Sequence, residues 1–180
     1  MTPQTEDTHP HQPPKDPRRQ TRARLSRRLV TLAKRPMVAT MDDSAHTVID
    51  RPVRHTDFNA LTGHHHCLLV TYKRDGSPVP APVWFARDGE RLFVWTEVNA
   101  YKAKRLRRDP RALIAPCSAT GKPLGDPIAA RGRILETVAD RTHAARVIKS
   151  QWTPWQRAFA FAARPVTEVH YLEFVPHTHG

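Results

Sequence analysis

Lys102 and Arg105 are the residues of this chain best spaced to do chemistry. They stand three apart in the segment YKAKRLRRDPR, so a helix puts both on one face close to its start. A helix start carries free N–H groups and a positive partial charge, and it attracts anions. Two cations beside such a start make a corner for a phosphate. The same spacing also fits an ordinary solvated helix, with Arg107, Arg108 and Arg111 near its end and Asp109 among them. The neighbouring strand adds weight to the first reading. Pro78, Pro80 and Pro82 alternate along it, so their missing N–H groups all fall on one edge. That edge faces solvent, a ligand or a split in the sheet, which sets a groove beside the corner.

Other constellations carry less. His64, His65, His66 and Cys67 alternate faces on a strand, so at most two neighbours converge and no metal site is expected. His170 reads as a core-edge residue on the last strand. Nucleophile elbows, dinucleotide fingerprints, Walker loops and a persuasive pair of acid–base carboxylates are all missing, so no catalytic side chain is assigned. Trp152 and Trp155, at the start of a late helix, read as core packing, with cover for a flat ligand at a subunit interface as the alternative.

The elements that position the corner follow from turn chemistry. Asp75-Gly76 and Asp88-Gly89 separate apolar, β-rich runs, which is a strong hairpin signal. Strands are predicted over residues 66–73, 79–86, 92–96, 112–117, 128–137 and 166–175. Leu92 and Val94 share one face of the third strand while Phe93 and Trp95 share the other, so both faces need cover. Helices are predicted over 56–61, over 99–108 capped by Asn99, over 140–150 from Asp140, and over 153–163 with Pro154 in the first turn. Six strands with few helices indicate a mainly β fold, an antiparallel barrel with helices at its ends.

The net charge of +12 is uneven. Half of the excess lies in residues 1–36, which hold six of the seventeen prolines and none of the aromatic residues or glycines. Such a segment buries too little apolar surface to offset its ordering entropy. Residues 1–50 are therefore expected to be a disordered basic tail, and residues 51–180 a single domain. Within the tail, residues 22–34 form a basic amphipathic pattern suited to weak contact with a membrane surface or polyanion, against the plainer reading of a solvated tail. Ser26-Arg27-Arg28 resembles a twin-arginine export signal, but Lys34, Arg35 and Pro36 interrupt the apolar stretch such a signal needs. The compositional break makes Met37 or Met41 a candidate translation start. The two cysteines, Cys67 and Cys117, form no disulfide framework, which fits buried thiols in a reducing cytoplasm.

The middle of the chain resembles the pyridoxamine-phosphate-oxidase-like family with the FMN-binding split β-barrel fold. It resembles most its branch of deazaflavin (F420)-dependent oxidoreductases. The marks are Leu68-Leu69-Val70-Thr71-Tyr72 with Asp75-Gly76, then Val79-Pro80-Ala81-Pro82-Val83-Trp84-Phe85, then Asp88-Gly89. Lys102-Ala103-Lys104-Arg105-Leu106 with Arg108-Asp109-Pro110-Arg111, Ala115-Pro116-Cys117, and Gly132-Arg133 follow in order. The resemblance implies a homodimer with cofactor sites at the subunit interface. The backbone at Pro82, Val83 and Trp84 would border the tricyclic ring. Lys102 and Arg105 would hold the cofactor phosphate, with Thr96 nearby. It implies hydride transfer between coenzyme F420 and an electron-poor small organic substrate. FMN binding or cofactor storage on the same fold is the alternative, and a basic nucleic-acid or membrane-surface module the second. No nucleic-acid partner is expected. Tyr101 departs from the family pattern, where a small residue usually precedes the lysine. Its ring is expected to crowd the phosphate, stack on the cofactor or alter preference.

Overall fold

The computed structural model describes residues 41–154 and 168–177. Seven strands form one antiparallel sheet: β1 (His66–Tyr72), β2 (Pro78–Trp84), β3 (Ala86–Asp88), β4 (Arg91–Glu97), β5 (Arg111–Pro116), β6 (Ile128–Ile134) and β7 (Val169–Pro176). Their order is β2-β1-β5-β6-β7-β4-β3. The two edge strands, β2 and β3, are separated in the chain by Phe85 alone. One residue spans only ~3.5 Å, so the sheet has to curl until its edges meet. The result is a barrel with a seam between β2 and β3.

The count of seven corrects the expected six. The predicted second strand, 79–86, breaks at Phe85; beyond it the chain leaves β1 and pairs with β4, Ala86 opposite Phe93 and Asp88 opposite Arg91. The prolines explain why β2 is an edge. A ladder to β1 runs from His66 opposite Trp84 to Tyr72 opposite Pro78. No such ladder forms if three alternate missing donors face β1, so they face outward. N–H and C=O of one strand residue point the same way, and Pro78, Pro80 and Pro82 therefore offer carbonyls without amides along the seam.

The interior is filled by Cys67 and Leu69 of β1, Leu92 and Val94 of β4, and Phe174 of β7, with Phe58 and Leu61 at one end and Leu106 from helix α1 (Tyr101–Arg108). The opposite face of β1, Leu68 and Val70, is covered by Ala45 and Val48 of a 3-10 helix, Asp43–Ile49, which Asp42 caps through Ser44 N (2.9 Å). Residues 41–50, expected in the tail, thus lie in the fold. The reason is that β1 is buried on both faces and its outer face needs cover. Residues 1–40, including the pattern at 22–34, lie outside the described residues.

Helix α2 (Val138–Gln151) covers the outer face of β4, where Phe93 meets Ala144 and Ile148. Its cap is Thr137, which accepts from Asp140 N at 3.1 Å, so the helix starts before the expected Asp140. Trp152 packs edge-on against Trp95 with centroids 5.9 Å apart, as core packing predicts; Trp155 and most of the helix predicted over 153–163 lie outside the described residues. The helix expected over 56–61 is a 3-10 turn, Asn59–Leu61, preceded by Asp57, whose carboxylate accepts from Asn59 N at 2.8 Å. The two cysteines belong to clusters on opposite faces of the sheet. Burial pushes both thiols up, Cys117 to about 12.

Candidate functional site

Helix α1 follows β4 after the short turn in which Ala100 N donates to Glu97 O (3.0 Å). Ala100 occupies the cap position and no side-chain hydrogen bond closes the helix start. This corrects the expected Asn99 cap. An alanine cap offers no side chain to compete with an anion for the helix start. The buried face of α1, Ala103 and Leu106, docks on the end of the barrel.

Arg105 lies against β1, its Nε donating to Thr71 Oγ1 at 2.8 Å. Burial, then the charge of Arg108, lowers its pKa from the usual guanidinium range, and it stays cationic at neutral pH. Arg108 donates to Tyr72 O (2.7 Å), and Arg111 sits 4.9 Å over the Tyr72 ring while pairing with Asp109 (2.8 Å). Three arginines thus tie α1 and its exit to the far end of β1. Lys102 is in the first turn, on the same helix as Arg105 and one turn before it. Thr96, buried at 6% exposure, is near the end of β4 opposite His170. The Tyr101 ring is 75% exposed with Lys104 Nζ 5.5 Å from its centroid, so it is turned outward.

Pro82, Val83 and Trp84 end β2, opposite Leu68, Cys67 and His66. Thr71, the anchor of Arg105, is opposite Val79, three residues back along β2. At ~3.3 Å per residue, the level of Pro82 lies about 10 Å from that anchor. The six predicted residues therefore belong to three elements, β2, β4 and α1. Val83 points into the barrel core, whereas Pro82 and Trp84 point to the other face. Only the backbone edge of this stretch, with its proline carbonyls, faces the seam.

Trp84 is fixed by His66, which sequence reasoning weighed only as a metal ligand. Its indole N–H donates to His66 Nε2 at 2.6 Å. His66 therefore carries its proton on Nδ1, and burial, then the charge of His65, lowers its pKa, favouring this neutral form. A second missed residue is Arg87, assigned from the sequence to a turn. It lies in β3, at the rim of a pocket of ≈ 340 Å³ lined also by Leu61, Thr62, His64, Phe85 and Gln151. Its NH1 donates to Thr62 Oγ1 (3.1 Å) and its NH2 to Asn59 Oδ1 (3.2 Å), while its Nε is buried without a partner. An arginine just before an Asp-Gly turn is the only sequence signal for it.

Several solved structures are similar to this chain at low identity. An F420 reductase is 19% identical, with 70% of this chain and 97% of that one covered and a TM-score of 0.43. The heme storage protein HutZ from Vibrio cholerae is 15% identical, with 65% and 81% covered and a TM-score of 0.49. A putative pyridoxamine 5'-phosphate oxidase from Listeria innocua is 15% identical, with 66% and 89% covered and a TM-score of 0.45. No curated protein matches the chain. Family membership rests on a different comparison: the model described as pyridoxamine 5'-phosphate oxidase matches residues 55–178, from the 3-10 turn through β7, and by that match the chain belongs to the pyridoxamine 5'-phosphate oxidase family.

Proposed function

We propose that this chain is an oxidoreductase that uses the deazaflavin coenzyme F420 to reduce or oxidise an electron-poor small organic molecule, and that it works as a homodimer. The observation that carries the reading is the start of α1. It lacks a side-chain cap, has Lys102 in its first turn, and has Arg105 anchored on Thr71 with its terminal nitrogens left over. These donors fit a phosphate, each charge-assisted contact contributing ~1.5–3 kcal/mol. The outward proline carbonyls of β2, about 10 Å along the strand, fit a ring that presents an N–H group.

The bound coenzyme would supply the hydride chemistry, and the protein would supply orientation and electrostatics. Lys102 and Arg105 would hold the phosphate. Thr96, at the end of the strand that delivers α1, would face the same corner. The β2 edge at Pro82, Val83 and Trp84 would border the ring, and the His66–Trp84 bond would keep that edge in place. The residues present assign no side chain to proton transfer.

Fluorescence titration tests the reading, with the deazaflavin and FMN offered separately and tryptophan quenching followed. Micromolar binding of the deazaflavin with none of FMN is the expected result, and the reverse would make the protein an FMN-binding member. Replacing Lys102 and Arg105 together by Ala is expected to weaken coenzyme binding by about tenfold or more. Unchanged affinity in that double variant would remove the phosphate assignment.

A further inference from the structure

Arg87, like Arg105 and Arg108, bonds to neutral acceptors, unlike the arginines that carboxylates hold. Arg54 is paired with Asp126, Arg91 with Asp88, Arg111 with Asp109, and Arg133 with Glu173 and Asp140. Among the described residues no carboxylate lies within ion-pair distance of Arg87; Thr62 and Asn59 are neutral acceptors. Two acidic residues close by in the chain or through shared partners are engaged elsewhere. Asp88 holds Arg91 and His143, and Asp57 holds Asn59. A guanidinium has five N–H groups in a fixed planar fork. Here two nitrogens are positioned by neutral oxygens and the third is buried and unsatisfied. The guanidinium as a whole is only half-buried, so its charge, which no carboxylate among the described residues meets, is open to an anion from the pocket.

The backbone of Arg87 is held as firmly as its side chain. Gln151 from the end of α2 accepts from Arg87 N at 2.9 Å and donates to Arg87 O. The guanidinium is thus carried on a strand clamped from both sides, at the rim of a pocket whose other walls include the apolar Leu61 and Phe85. We infer that this pocket is a binding site for a small organic carboxylate, whose two oxygens meet the remaining N–H groups of Arg87 NH1 and NH2 while its apolar body lies against Phe85 and Leu61. The fork geometry selects a planar two-oxygen anion over a single-point one. Phe85 directly follows Trp84, so the pocket opens where the proposed ring edge ends. Use of the site to anchor a substrate carboxylate rests on the coenzyme reading above; the anion site does not.

The test is a titration of the full ¹⁵N-labelled chain with benzoate and, separately, benzamide, following the Arg87 Nε–H resonance, assigned by its loss in Arg87→Gln. The expected result is a saturable shift with benzoate and at least about tenfold weaker binding of benzamide. Equal response to the two, or no saturable response to benzoate, would overturn the carboxylate site. The wild-type comparison stands even where Arg87→Gln is poorly folded, and Arg87→Lys, which keeps the charge but not the fork, supplies a second assignment and is expected to bind benzoate more weakly. A parallel titration with deazaflavin separates the two ideas. Benzoate binding in a protein that ignores the deazaflavin would refute the coenzyme reading and sustain the anion site. Benzoate displaced by saturating deazaflavin identifies the coenzyme's own carboxylates as the occupant, and benzoate bound beside it identifies a substrate.

Discussion

At the scale of single residues, the informative side chains are those whose polar atoms are committed inside the fold. His66 accepts from Trp84 only while its Nε2 is unprotonated. Its pKa in the folded state is lowered, so between that value and the unfolded value near ~6.5 the unfolded chain binds more protons. The stabilisation is therefore complete above about pH 6.5 and is lost as pH falls through that window. Thermal unfolding followed from pH 7.5 down to 5 is expected to show a steeper decline for the wild type than for His66→Gln, which keeps an acceptor without a titration; equal slopes would count against the bond. His170, also lowered by burial and by Arg107 and Arg141, leaves a residual slope in both proteins. Gly132 gives a packing prediction. A Cβ there would clash with Phe174 Cε1 and lie 3.0 Å from Leu106 Cδ1, and Phe174 is fully buried. Gly132→Ala is expected to cost about 1–3 kcal/mol in denaturant unfolding and to loosen α1 through Leu106.

At the scale of elements, the legible parts were those with local signals. Asp75-Gly76 and Asp88-Gly89 both mark hairpin turns, and each glycine has a positive φ, 82° and 59°. The alternating faces of Leu92, Phe93, Val94 and Trp95 lie in two different clusters, as expected. The break at Phe85 was not legible, because nothing in the run from Val79 to Ala86 distinguishes one strand from two; only closure of the barrel does so. Arg87 was hidden for the same reason, since its partners Thr62, Asn59 and Gln151 are distant in sequence. The 3-10 helix Asp43–Ile49 had one usable signal, the unbroken apolar run Cys67-Leu68-Leu69-Val70, which calls for cover on two faces. Its contribution is testable. Val48 is fully buried against Leu68 and Val70, so Val48→Asp should cost about 3 kcal/mol or more in chemical denaturation. A near-neutral result would mean that the segment does not cover β1.

At the scale of the whole molecule, charge and assembly come together. The net charge of +12 suits the proposed polyanionic coenzyme, and α1 concentrates part of it in Lys102, Lys104, Arg105, Arg107 and Arg108. The proposed homodimer is expected to sediment as two chains and to bind one deazaflavin per chain; a monomer with full coenzyme affinity would end the interface proposal. The proposed composite site was only partly legible because its two halves have different origins. The helix start and its cations are local, whereas their distance from Pro82 depends on the pairing of Thr71 with Val79. The outward run Pro78, Pro80, Pro82 has one more effect. A free sheet flank is ordinarily a template on which further chains can grow. Here a newcomer would find every second rung missing, so the protein could be crowded in solution without stacking, edge upon edge, into fibres.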